Sequence, residues 1–266
     1  MRNIRLTLAY DGTNYVGWQI QPNGPSIQAA VKSAIEKLTG ETANVLAAGR
    51  TDSGVHALGQ VANFCTESFI PCEKIRTGLQ RFLPEDIIIR EASEVDESFH
   101  ATYSAKQKRY RYVILNSRMV LPFLRNYVYH HHRELDAAVM QQAADRLIGT
   151  HDFRSFESQF PNKACSVRTV MEVTVGRCSI WPVWSEPIQQ RQETELTNCR
   201  GDYIRFDIVA DGFLYNMVRA IVGTLLKVGE GKWTPDDVRR IIDQQDRSQA
   251  GETVPPGGLY LVHVDY

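Results

Sequence analysis

The chain has 266 residues, 43% of them hydrophobic and 23% charged, with a net charge of −1. That is enough for one large or two modest domains with a substantial core, and it excludes a collagen-like, low-complexity or globally basic chain. A nucleic-acid partner would therefore need positive charge gathered on one face or doubled by dimerisation.

Five cysteines are scattered without a CxxC pair, which argues against a zinc site and a disulfide framework. The opening segment "MRNIRLTLAYDG" runs straight into a strand pattern, and no apolar run reaches about 18 residues. A soluble protein of a reducing compartment, the cytoplasm, is expected, with no membrane span.

In chain order, "IRLTLAY" (4–10) alternates as a half-buried strand does, and Asp11-Gly12 turns the chain. Residues 26–40 read as a helix with Ile27, Val31, Ala34, Ile35 and Leu38 on one face, Ser26 as N-cap and Gly40 as stop. "NVLAAG" and "VHALGQVANFCT" are strands around a polar turn. Residues 73–83 form a second helix, and "DIIIREASEV" another strand.

A similar series follows. Residues 108–116 are a strand, 135–153 a helix with Gly149 at its end, "RTVMEVTVGR" and "YIRFDIVADG" strands, and 213–229 a helix. "TPDDVRRIIDQQD" starts a helix with Thr234 as N-cap, Pro235 at N1 and acids in the first turn. "GLYLVHVDY" closes as a strand. Two α+β halves, 1–105 and 106–266, are expected, with strands paired mainly antiparallel. Residues 178–200, with two Trp and two Pro, read as a long insert, partly flexible.

Four segments carry chemistry. "AAGRTDSGVHALGQV" (47–61) displays Arg50 and Asp52 on a glycine-bracketed turn between apolar strands. It lacks the GK[ST] of a phosphate loop and the alternating acids of an EF-hand. A hairpin turn whose Asp bonds its own backbone would look the same. A charged pair wedged between apolar strands is otherwise expected to be paired or at work.

"AKQKRYRY" interleaves Lys106, Lys108, Arg109 and Arg111 with Tyr110 and Tyr112. On a strand the tyrosines face one side and the arginines the other. Rings stack on bases and cations meet phosphates, so the pattern suits RNA, though a charged edge strand with buried tyrosines fits equally. Arg219 lies in "FLYNMVRAIVGTLLKV", a helix apolar nearly all round, and requires an anionic partner unless it reaches water at the helix edge. "YHHHR" (129–133) resembles a metal site, but consecutive strand residues alternate faces. A surface or RNA-facing stretch is expected, with no metal.

"GRTDSGVHALGQV", "KRYRY", "DGFLYNMVRAIVGTLLKVGEGKW" and "GLYLVHVDY" together resemble the motif series of the tRNA pseudouridine synthase A family, over nearly the full chain. The insert at 178–200 is longer than in the family's compact bacterial members. The resemblance implies an α+β fold of two similar ferredoxin-like halves whose antiparallel sheets join around a central cleft, and a homodimer. It implies that uridine in tRNA becomes pseudouridine, usually at positions 38 to 40 of the anticodon arm, without a cofactor.

By that resemblance Asp52 is the nucleophile or base, Tyr110 the active-site tyrosine, and Arg219 the cation that pairs with the acid. Arg50 holds the flipped nucleotide and Leu259 walls the base pocket. Lys106, Lys108, Arg109, Arg111 and Arg168 are assigned to tRNA binding. One carboxylate suffices because no water is activated, unlike in a glycosidase. A non-catalytic RNA-binding protein, a hydrolase using Asp52, and a scaffold with an incidental polar turn are the rival readings. Free uracil or phosphate as product would mark the hydrolase.

Overall fold

The computed structural model describes residues 1–158, 165–183 and 201–266. They divide into two compact units, Met1–Lys108 with Tyr260–Tyr266, and Arg109–Leu259.

In the first unit, β1 (Arg2–Tyr10) carries Ile4, Leu6 and Leu8 into the core by strict alternation. It pairs antiparallel with β3 (His56–Thr66) on one side and β4 (Ile87–Val95) on the other. A short β2 (Leu46–Ala47) lies antiparallel on β3, where a longer strand was expected. Helix α1 (Ile27–Thr39) connects β1 to β2, and α2 (Cys72–Gln80) connects β3 to β4.

The α1 stripe buries Ile27, Val31, Ala34 and Ile35, each large member contributing about 1.5–3 kcal/mol relative to exposure. The Ser26 side chain accepts from the Ala29 N–H at 3.3 Å, and Gly40 ends the helix at φ 77°, the left-handed conformation that costs glycine nothing. This is a βαββαβ order with spatial arrangement β4-β1-β3-β2, the ferredoxin-like pattern.

In the second unit, β5 (Gln107–Asn116), β7 (Gly149–Asp152), β8 (Val167–Cys178) and β9 (Tyr203–Ala210) stand in the order β5-β9-β8-β7. The β8–β9 and β7–β8 pairs are antiparallel, whereas β6 (Tyr129–His131) lies parallel to the end of β5. Helices α3 (Ala137–Ala144), α4 (Met217–Gly229) and α5 (Pro235–Gln244) complete it. Thr234 donates its backbone N–H to the Asp237 carboxylate at 2.7 Å, anchoring the start of α5. No helix among the described residues is long and apolar enough to cross a membrane.

Three further expectations change. The helix over 135–153 covers only Ala137–Ala144, with a 3₁₀ turn to Leu147. Gly149, at φ 113°, then opens β7, because its backbone leaves the helical region and the next residues find partners on β8. The helix over 213–229 starts at Met217, since Asn216 sits at φ 62° just before it. The closing strand β10 (Leu259–Asp265), placed in the second half, packs largely with the first unit, parallel to β3 through Tyr260 and Leu261. Of the insert over 178–200, only residues up to Val183 fall within the described chain.

Candidate active site

The polar turn 48–55 is held by the loop 11–18, whose "DGTNYVGW" stretch the sequence reading used only as a turn. Trp18 donates its N–H to the Thr51 carbonyl at 3.0 Å, and Gly54 donates to Tyr15 at 3.3 Å. The Ser53 hydroxyl also meets the Tyr15 carbonyl, at 3.1 Å, and Gly17 bridges antiparallel to Asp52.

This approach requires glycine. A Cβ on Gly12 would stand 2.0 Å from the Val55 carbonyl, and one on Gly17, at φ 110°, would stand 2.6 Å from that of Thr51. His56 explains its place in "GVHA": Nδ1 accepts the Gly12 N–H at 3.1 Å, while the ring stacks on Tyr260 at 4.8 Å.

Beneath the turn, Tyr10 and Thr51 share a hydroxyl–hydroxyl bond of 2.8 Å, and Gln60 donates to the Gly49 carbonyl at 2.8 Å. Burial pushes the Tyr10 phenol to a pKa of about 12, so it stays protonated as a structural strut. The Lys108 ammonium donates to the Ala48 carbonyl at 2.6 Å and the Thr102 hydroxyl to that of Ala47 at 2.6 Å. The main chain of the turn is thus pinned at several points, and Asp52 stands half-buried on it while Arg50 is exposed. A fixed carboxylate with retained access suits a nucleophile or base better than a sealed structural acid does.

In the second unit Arg219 occupies the first turn of α4. Its Nε donates to the Val254 carbonyl and its Nη1 to Asn216 Oδ1, both at 2.7 Å. Asn216 Nδ2 is itself tied to the Ser158 hydroxyl at 2.8 Å. A cation at this end of a helix opposes the macrodipole, so α4 alone gains nothing from placing it there. Glycine again permits the bracing. The 250–254 loop crosses α4 so closely that a Cβ on Gly223 would stand 1.8 Å from the Glu252 carbonyl. Arg219 is half-buried, an intermediate between the buried and edge positions expected.

Tyr110 is 7% exposed and meets Phe213 edge-on at 4.9 Å. Tyr112 is fully buried and donates its hydroxyl to the Pro255 carbonyl at 2.7 Å. Burial raises its phenol well above the usual value, although Arg219 acts in the opposite direction. Leu259 is buried at the start of β10.

The basic residues divide sharply. Lys106 is exposed and Arg168 half-buried. Arg109 is bidentate to Glu172, at 2.7 and 3.3 Å. Arg111, expected on an RNA-facing side, has no accessible surface. It forks onto Asp207 at 2.7 and 2.9 Å and donates to the carbonyls of Pro182 and Val183. This is a core ion pair, and no phosphate reaches it. Strand alternation put both arginines on one side correctly but was silent about the acids waiting on β8 and β9.

The histidines also depart from expectation. His131 is buried 3.3 Å from Glu230, His130 bonds the Ser117 carbonyl at 2.8 Å, and only His132 is exposed. No three His, Cys, Asp or Glu side chains among the described residues gather as metal ligands.

A family model described as tRNA pseudouridine synthase matches residues 7–104 and 143–266. A tRNA pseudouridine synthase A of Acetivibrio thermocellus is 47% identical over 266 residues, covering all of both chains. One of Thermoanaerobacter sp. is 46% identical with the same coverage, as is a tRNA pseudouridine synthase A 2 of Clostridium perfringens. A chain of this length is therefore ordinary among such relatives, and the 178–200 stretch does not set it apart by size.

Proposed function

The chain belongs to the tRNA pseudouridine synthase family, and on that premise we propose that the tRNA uridines it isomerises lie at positions 38 to 40 of the anticodon arm. The enzyme is an isomerase acting on uridine in tRNA. The reaction breaks the C1′–N1 bond, turns the uracil and joins C5 to C1′, after which C5 gives up its proton. A uridine stacked in a stem must first be extruded.

In our reading Asp52 supplies the single carboxylate, either bonding covalently or removing the proton that starts elimination. Arg219 is the cation that keeps Asp52 ionised in a partly dry site, since a nearby positive charge lowers a carboxyl pKa. Tyr110 stacks on the uracil and takes the C5 proton late in the reaction. Arg50 holds the extruded nucleotide, and Leu259 contributes an apolar wall. Lys106 and Arg168 are proposed to meet phosphates. Lys108 and Arg109 stand further back, holding the turn and Glu172. The working form is proposed to be a cytoplasmic homodimer that needs neither cofactor nor metal.

The observation that carries this reading is the half-buried Asp52 on a turn whose main chain is pinned by the loop 11–18. The test is Asp52→Ala assayed on tRNA labelled with tritium at uridine C5, which is released as pseudouridine forms. Tritium release should vanish while tRNA binding persists. Retained activity would overturn the assignment of Asp52, and mapping the modified positions by chemical labelling and reverse transcription tests the anticodon-arm site.

A further inference from the structure

From Ser98 to Arg133 the chain contains no Asp or Glu, although acids outnumber Lys and Arg overall, 31 to 30. Within this stretch, residues 117–128 link β5 to the parallel β6 as a projecting loop, "SRMVLPFLRNYV". Four of its apolar side chains stand in solvent: Met119 (82% exposed), Val120, Leu121 (59%) and Phe123 (85%). Arg118 and Arg125 flank them, and Arg133 follows. All three are exposed, and none enters an ion pair among the described residues.

A contiguous apolar cluster of this kind on a soluble chain marks a binding surface. The loop is also prepared for one. A 3₁₀ turn, Pro122–Leu124, sets its tip, with the Leu124 N–H on the Leu121 carbonyl at 3.0 Å. Its base is fixed where Asn116 Nδ2 bonds the His131 carbonyl at 3.0 Å, and where a Cβ on Gly257 would stand 2.6 Å from the Asn126 carbonyl.

We propose that the loop 117–125 is a tRNA-docking surface, with Phe123 and Met119 lying against exposed bases and Arg118 and Arg125 on the phosphates beside them. This rests on the function proposed above and extends it to a contact surface. Charge complementarity selects the occupant. A stretch of chain without acids that displays exposed arginines complements a polyanion, and a preset ring beside arginines is the usual platform for unstacked bases. A second copy meeting the same patch across a twofold axis would bring like charges together.

The experiment measures tRNA affinity across a range of salt concentrations for Phe123→Ser and for Arg118→Gln/Arg125→Gln. All three side chains are exposed, so folding should persist and is checked by circular dichroism. Phe123→Ser should weaken binding about tenfold with the salt slope unchanged, as expected for one lost stacking contact. The double arginine variant should reduce the slope magnitude by about 0.7–0.9 per lost phosphate contact.

Affinities and slopes equal to the parent protein's would overturn the proposal. So would a change confined to the oligomeric state in sedimentation, which would mark a contact between copies. A parent protein that releases no tritium from tRNA would instead overturn the functional reading itself.

Discussion

In the first unit the group proposed to carry the chemistry is an acid on a turn; in the second it is a guanidinium on a helix. Both are braced the same way. A loop crosses them at a distance only glycine permits: 11–18 against the turn through Gly12 and Gly17, and 250–254 against α4 through Gly223. The main chain around Asp52 is pinned by bonds of its neighbours, and the Arg219 guanidinium is held on Val254 and Asn216.

The largest expected effect separates these cases. Asp52→Asn should lower pseudouridine formation by roughly 10³-fold or more. Arg219→Met, which also releases Asn216, should cost about 10²-fold in turnover. It should move the acidic limb of the pH–rate profile upward, because a carboxyl without its cation titrates higher. An unmoved limb would break the proposed pairing.

Arg111 sharpens the contrast from inside the second unit. Arg111→Met removes the bidentate partner of Asp207, leaving that core acid beside Arg205 at 3.4 Å, and should destabilise the protein by about 3–5 kcal/mol in urea denaturation. Arg219→Met should show far less destabilisation, since Arg219 is half-buried.

Gly12→Ala tests the backbone account. The added methyl meets the Val55 carbonyl, so the loop must shift, at a cost of about 1–3 kcal/mol. Turnover should fall more than tRNA affinity. Gly223→Ala should cost similar stability, with turnover falling as Val254 draws away from Arg219.

The smallest effect concerns pH. Burial lowers the His131 pKa below its usual value, outweighing the opposing pull of Glu230. The unfolded chain therefore takes up the proton first as pH falls. The favourable contribution of neutral His131 is complete above about pH 6.5 and is lost progressively below it. His131→Gln should flatten the decline in melting temperature between pH 7 and pH 5. Equal slopes would show that the pair does not govern acid stability.

Periodicity alone found α1 with its cap and stop, because Ser26, the stripe from Ile27 to Ile35 and Gly40 each act within one or two helical turns. It found β1 for the same reason. It failed at 135–153, where the choice between helix and edge strand at Gly149 depends on β8, distant in sequence. Asp52, Tyr110 and Arg219 could be proposed from sequence because their motifs are contiguous. The fates of Arg111, Arg109 and His131 were not, since the acids that claim them, Asp207, Glu172 and Glu230, lie 96, 63 and 99 residues away.

By itself the sequence determined the α+β class and the family, and it singled out the side chains proposed to carry the chemistry, since residue type and near-neighbour spacing suffice for these. The tertiary structure decided which cations remain available and how the turn is held. Charge pairing and glycine-mediated backbone approach are long-range contacts, and no local pattern records them.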